Sequence, residues 1–266
     1  MRYIIRLSYD GSGFSGWQRQ NNATTVQGET ERALSILFGE EVSVTGAGRT
    51  DTDVNAINYM AHFEISESKP LTEPAHFICK INAILPRGIM VHEVKPAPRD
   101  FHARFSATSR EYHYFLHRKK DPFMGRFSWF CKYPLDVDAM NRAADMLLGE
   151  HDFSCFEKNG GNNLTSICTV TEAVWETWTP PHADMLGYPC TDGDCLVFRI
   201  RANRFLRNMV RAIVGTLVDI GRGRHDEEWI GSLLRNGTRS DAGESVPGHA
   251  LFLSGVKYPY EDGCRL

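Results

Sequence analysis

The sequence predicts an α+β protein built from two successive units, each a largely antiparallel sheet with helices on one side. Three observations predict it. Apolar residues alternate over short runs, as in strands covered on one face. Longer stretches of helical period separate those runs. The order of elements in the first hundred or so residues is loosely echoed in the remainder. With 266 residues, 42% of them apolar and 24% charged, the chain has length for one large domain or two small ones with ample core.

In chain order, residues 2–9 alternate, with Tyr3, Ile5, Leu7 and Tyr9 against Ile4, Arg6 and Ser8, and predict a strand. A glycine-rich loop, Asp10-Gly-Ser-Gly-Phe-Ser-Gly16, runs into Trp17-Gln-Arg-Gln20. Val26–Phe38 predicts a helix with Thr30, Ala33, Leu34 and Leu37 as its apolar stripe and Gly39 as its stop. Extended segments over Val42–Thr45 and up to Phe63 flank Gly46-Ala-Gly-Arg-Thr-Asp51. Pro74 opens a helix to about Ile84, and Gly88–Lys95 predicts a strand. Lys95-Pro-Ala-Pro98 is the best linker candidate.

The second unit predicts strands over Arg110–His117, Ser166–Trp178, Cys195–Arg201 and Leu251–Tyr258, with helices over Val137–Leu148, Phe205–Ile220 and Asp226–Arg235. Between Trp178 and Gly193 the prolines 180, 181 and 189 predict an irregular loop. The two halves show no obvious sequence repeat.

The net charge of −3 does not announce a polyanion binder, but its distribution is uneven. Residues 99–126 carry seven Arg or Lys and three acids, and residues 199–224 carry seven Arg and one acid, Asp219. Charge alone leaves two solvated faces and a steering surface for a polyanion both open. In the helix expected from Phe205, the residues Arg204, Arg207 and Arg211 fall on one side, opposite Phe205, Met209, Ala212, Ile213, Thr216 and Leu217. A guanidinium row suits phosphates or carboxylates. The seven cysteines, at 79, 131, 155, 168, 190, 195 and 264, include no close CxxC pair, and reduced thiols are the simplest account. The opening residues do not resemble a signal peptide, and no apolar run is long enough to span a bilayer.

Gly46-Ala-Gly-Arg-Thr-Asp51 places a carboxylate just past a turn of small residues. Arg49, two residues earlier, can share a side of an extended segment with Asp51 and hold it ionised, as a carboxylate nucleophile requires. Composition alone favours a turn or salt-bridge aspartate. The glycines match neither a dinucleotide fingerprint nor a phosphate loop.

These segments, together with Phe101-His-Ala-Arg-Phe-Ser-Ala107, Arg110-Glu-Tyr-His-Tyr114, Leu148-Gly-Glu-His-Asp-Phe153 and Phe205-Leu-Arg-Asn-Met-Val-Arg-Ala-Ile-Val-Gly215, resemble the TruA family of tRNA pseudouridine synthases over nearly the whole chain. The resemblance implies a pseudouridine synthase fold. It has two similar α/β subdomains, residues 1–103 and 104–266, whose mostly antiparallel sheets join into one extended core with an active-site cleft between them. It implies isomerisation of uridine to pseudouridine at positions 38, 39 and 40 of the tRNA anticodon stem-loop, with no cofactor and no metal, by a cytoplasmic homodimer that does not engage a membrane.

The resemblance also implies roles. Asp51 matches the nucleophile, and Tyr112 the tyrosine that packs against the base and is associated with proton removal. Arg211 matches the residue that pairs with the aspartate, and Arg49 the arginine associated with the flipped nucleotide. Arg104, Arg110, Arg204 and Arg207 are candidate substrate contacts, with Arg118, Lys119, Lys120, Arg222 and Arg224 behind them. His151 and Asp152 belong to a matching motif without an assigned step. One departure stands out: the family usually continues its aspartate motif with Ala-Gly-Val-His-Ala, and this chain has Thr52-Asp-Val-Asn-Ala56. Asp53 brings a second carboxylate near Asp51, with repulsion expected if both face a cleft. A tRNA-binding factor without turnover is a competing reading. A hydrolase would need a metal cluster or a triad, and the sequence offers neither.

Overall fold

A computed structural model describes residues 1–67, 70–158, 160 and 164–259. It is a mixed α/β fold of sheets and helices, as the sequence predicts. The chain divides into two compact units: residues 1–110 with the chain from Phe252 onward, and residues 111–251.

In the first unit, β1 (Arg2–Tyr9) lies antiparallel between β3 (Asn55–Glu64) and β4 (Ile89–Pro96), with β2 (Val44–Gly46) antiparallel on β3. The chain's closing strand, Leu251–Lys257, adds to β3 in parallel through Phe252 and Leu253. Helix α1 (Val26–Phe38) starts where the Thr25 hydroxyl accepts the Gly28 N–H, and stops at Gly39 in the left-handed region. It tethers the sheet through a buried carboxylate: Glu31 accepts the Val44 N–H at 3.0 Å and the Gln27 amide at 2.8 Å, and pairs with Arg19 at 3.3 Å. Helix α2 (Pro74–Ile84) begins at its proline and packs on β4.

A buried histidine in this unit makes stability depend on pH. His62 on β3 is 7% exposed, and its Nδ1 accepts the Ala103 N–H at 3.1 Å. Burial, then the neighbouring charges of His102 and Arg2, lower its pKa from 6.5 to about 4. Between those values the unfolded chain takes a proton that the folded chain refuses, so stability is lost as pH falls through that window. The expected loss between pH 7 and 5 is about 2 kcal/mol. Urea unfolding at both pH values checks it, and His62→Gln should flatten the difference.

The second unit carries β5 (Ser109–His117, which begins at the end of the first), β6 (Trp129–Phe130), β7 (Gly149–Asp152), β8 (Ile167–Thr177) and β9 (Cys195–Ala202). Its strands run in the order β5-β9-β8-β7, with β6 parallel beside β5. The closing strand is β10. Helices α3 (Val137–Asp145), α4 (Pro181–Leu186), α5 (Met209–Gly221) and α6 (Glu228–Asn236) complete it. α3 packs on α5, α6 and β8. The short β6, β7 and α4 fall where the sequence pattern predicts no regular element.

Two expected helices are corrected. α3 ends at Asp145, three residues early, because Met146, Leu147 and Leu148 turn back onto carbonyls three residues earlier before Gly149 takes φ +98°. The second correction matters more for function. α5 starts at Met209 and not at Phe205, because Asn208 sits at φ +65°, a conformation an α-helix does not contain. Arg204 and Arg207 therefore precede the helix, and only Arg211 of the expected row rides on it.

Among the described residues no helix is long and apolar enough to cross a membrane. Cys79, Cys131, Cys155, Cys168, Cys190 and Cys195 are free thiols, and Cys264 lies outside the described residues.

Candidate active site

The glycine-rich loop and the aspartate loop are built against each other in the first unit. Asp10 accepts the Ser12 N–H at 3.0 Å and starts a short 3-10 turn at Gly11–Gly13. From Gly16 the backbone crosses the second loop: the Trp17 N–H donates to the Thr50 carbonyl at 3.2 Å. Gly16 has φ +83°, and a Cβ there would overlap the Thr50 carbonyl oxygen. No other residue type meets both conditions without strain.

Three aromatic rings floor the segment. Trp17 stacks on Tyr59 with centroids 4.0 Å apart, and Tyr9 lies 5.5 Å from Tyr59. The Tyr59 hydroxyl donates to the Gly48 carbonyl, and the Tyr9 hydroxyl meets the Thr50 hydroxyl at 2.9 Å. Gly46 lies so close to this floor that a Cβ would strike the Tyr59 hydroxyl and come within 2.7 Å of the Trp17 ring. The backbone leading to Asp51 is thus held at Gly46, Ala47, Gly48 and Thr50. Alternation in β3 marks Tyr59 only as a strand aromatic, and its grip on this loop is not legible from the sequence.

Asp51 emerges half-buried from the buried Thr50. Its carbonyl accepts the Val54 N–H at 3.2 Å and closes a four-residue turn. The third residue of that turn is Asp53, exposed, at φ +66°. This conformation explains the family's usual glycine there. The substituted asparagine plays a different part. Asn55 is 1% exposed and accepts the buried Gly11 N–H at 2.8 Å, joining the two loops a second time. Two expected results follow. Asp53→Gly should stabilise the protein by about 0.5–1 kcal/mol by relieving the left-handed conformation. Asn55→Ala should destabilise it by about 1–3 kcal/mol by orphaning a buried donor. Chemical denaturation reads both.

Arg49 is exposed and donates through Nε to Gln18 at 3.1 Å, and Gln18 is held in turn by Gln27 of α1 at 2.8 Å. Gln18 follows the tightly packed Trp17, so this fork aims the Arg49 guanidinium from a fixed base. Arg110 donates to the carbonyls of Ala47 at 3.1 Å, Ala107 at 3.0 Å and Arg104, bracing the start of the aspartate loop. Arg104 lies exposed, 5.6 Å from the exposed Phe105 ring.

In the second unit, Tyr112 on β5 is half-buried and meets Phe205 edge-on, centroids 5.1 Å apart. Tyr114 is fully buried and donates to the Pro247 carbonyl at 3.1 Å. Of these two tyrosines, Tyr112 is therefore the one with accessible ring surface. Arg211 is half-buried on the first turn of α5 and donates through Nε to the Val246 carbonyl at 2.7 Å. Arg207 is exposed, and its carbonyl accepts the Lys158 N–H at 3.0 Å. Arg204 is half-buried. His151 lies against the Leu148 carbonyl at 2.8 Å, and Asp152 accepts the Ser154 N–H at 2.8 Å, its carboxyl held below the usual range chiefly by Ser166. Both act locally.

The basic stretches are partly neutralised. Arg199 and Arg201 pair with Glu111, Glu172 and Glu176 along the sheet. Lys119 pairs with Asp194 at 2.8 Å, and Arg222 and Arg224 share Asp219 at 3.5 and 2.9 Å. These ion pairs tie up part of the charge of both basic stretches.

Comparison with known proteins defines the class, an enzyme that isomerises a nucleoside within RNA. The family model for tRNA pseudouridine synthases matches residues 6–106 and 143–259. The tRNA pseudouridine synthase A of Parabacteroides distasonis is 43% identical over 260 residues, covering 98% of this chain and 97% of its own. That of Chlorobaculum tepidum is 41% identical over 255 residues, covering 96% of each chain. That of Halalkalibacterium halodurans is 40% identical over 254 residues, covering 94% of this chain and 90% of its own. The chain belongs to the TruA family of tRNA pseudouridine synthases. Its activity is that family's isomerisation of uridine to pseudouridine in tRNA.

Proposed function

We propose that this enzyme acts on uridines 38, 39 and 40 of the anticodon stem-loop, with Asp51 as nucleophile. The reaction breaks the bond from ribose C1′ to uracil N1, turns the base and rejoins it through C5, with loss of the C5 proton and gain of one at N1. It is redox-neutral and needs no energy donor. An oxygen nucleophile, a proton acceptor and a shaped pocket suffice. The observation that carries the reading is the aspartate loop itself. A carboxylate is set on a backbone pinned at four points by the glycine-rich loop, Tyr59, Tyr9 and Arg110. Such fixing is what preorganised attack demands.

Attack at C1′, attack at C6 and abstraction of the 2′ proton to give a glycal are all open to a carboxylate at this position. Tyr112 offers its ring to the detached base and is the candidate for assisting proton removal. Arg211 keeps the nucleophile a directed anion. Arg49, aimed by Gln18, supports the everted nucleotide. The base must leave its stack before any of this, at a cost of a few kcal/mol. Arg104, Arg204 and Arg207 offset that cost through phosphate contacts, and Arg110 serves the substrate by bracing the loop. The enzyme works as a homodimer in the cytoplasm, where light scattering in solution should give twice the chain mass. Mapping pseudouridine in tRNA from cells with and without the gene tests the target. Loss confined to positions 38–40 supports it, and unchanged modification there removes it.

A further inference from the structure

The second unit holds a cavity of about 590 Å³, and of its lining residues the reaction chemistry above uses Arg211 alone. Three of the residues lining it are cationic, Lys158, Arg211 and Arg239, and the others carry hydroxyl or amide groups. Among the described residues no carboxylate lines it. We infer that this pocket is a phosphate subsite, which takes a backbone phosphodiester of the RNA substrate. The inference rests on the proposed role of Arg211, which is one of the lining residues.

The hydrogen bonds around Ser245 orient the site. The Asn208 amide and the Arg239 guanidinium (Nη2, 2.7 Å) both donate to the Ser245 hydroxyl oxygen. A hydroxyl has two acceptor positions and one donor. With both acceptor positions occupied, the Ser245 proton is left to donate. Arg239 also donates through Nη1 to the Gly243 carbonyl at 3.0 Å, which fixes the plane of its fork against the wall. The pocket therefore presents donors and positive charge, the complement of a phosphodiester.

The wall is rigid. The Gly243 N–H donates to the buried Thr216 hydroxyl of α5 at 2.9 Å, and a Cβ at Gly243 would lie 2.6 Å from the Thr216 nitrogen. A Cβ at Gly215 would overlap the Glu244 carbonyl oxygen. Backbone packed this closely does not need ordering when a ligand arrives, so little entropy is lost on binding. The volume lies in the ordinary range for a small-ligand pocket and accommodates a phosphate with its attached sugar.

The test uses the full-length protein and a synthetic anticodon stem-loop RNA, with binding measured directly so that turnover is not required. Arg239→Gln and, separately, Lys158→Gln should each weaken RNA binding about tenfold. Each should lower the slope of log affinity against log salt by about 1. Single methylphosphonate linkages, placed one at a time along the strand, should weaken the unsubstituted protein at several positions. One of those losses should vanish in Arg239→Gln. Lys158 is exposed, so its variant keeps the test valid if Arg239→Gln loosens the loop, which thermal unfolding reports. An unchanged salt slope in both variants, or an identical methylphosphonate scan, overturns the subsite. A protein that binds RNA in this way yet leaves positions 38–40 unmodified would instead defeat the proposed target and leave the subsite standing.

Discussion

Replacing Asp51 with alanine should abolish tritium release from C5-labelled uridine in tRNA, lowering the single-turnover rate by at least about 10⁴-fold. The dissociation constant for tRNA should stay within about threefold, because a carboxylate attracts no phosphate and its removal costs no contact with the backbone. The split between rate and binding is the informative part. Loss of both would mean that the aspartate holds the loop together. Unchanged release would remove it from the chemistry. Asp51→Glu sharpens the point. The backbone around residue 51 is pinned through Thr50 and the Asp51–Val54 turn, so it cannot retreat to accommodate one more methylene. The longer side chain carries its oxygens about 1.5 Å beyond their place, and a displacement of that order costs about 10²-fold.

The legible part of this site was local chemistry. The glycine loops, the Arg-Thr-Asp run, the strand that carries Tyr112 and the helix that carries Arg211 follow from residue type and spacing, whereas the roles of these residues come from the family resemblance alone. What the sequence pattern misses depends on conformations and long-range packing that leave no periodic trace. The helix expected from Phe205 breaks at Asn208, where a left-handed residue stands within an otherwise convincing apolar pattern. The arginine row disperses with it. Charge runs counted along the chain include Arg199 and Arg201, whose acidic partners sit on other strands of the same sheet. Asp53 looks like an electrostatic fault beside Asp51. In the fold it is an exposed turn residue, strained in its backbone. Asn55, which also departs from the family's usual motif, is a buried brace.

The coupling between the two loops predicts the second large effect, and it comes from a residue without a side chain. Gly16→Ala should lower the stability of the protein by about 3 kcal/mol, adding the cost of φ +83° in a non-glycine residue to that of a Cβ driven onto the Thr50 carbonyl. For a chain of this size the melting temperature should fall by about 6–10 °C. The chemical step should suffer separately. The obstructed atom belongs to the residue before Asp51, so relief of the overlap pushes the backbone of the proposed nucleophile. A shift near 1 Å lowers kcat/KM by about 10²-fold even at temperatures where the variant is folded. Gly13 supplies the control. It lies three residues away in the same loop, its Cβ would meet nothing within 4 Å, and it is not left-handed. Gly13→Ala should therefore be near neutral in both measurements. If the two alanine variants behave alike, the loop is compliant and the aspartate owes its position to something else. If only Gly16→Ala fails, and fails in turnover beyond its loss of stability, then the glycine-rich loop acts as the template on which the nucleophile is set.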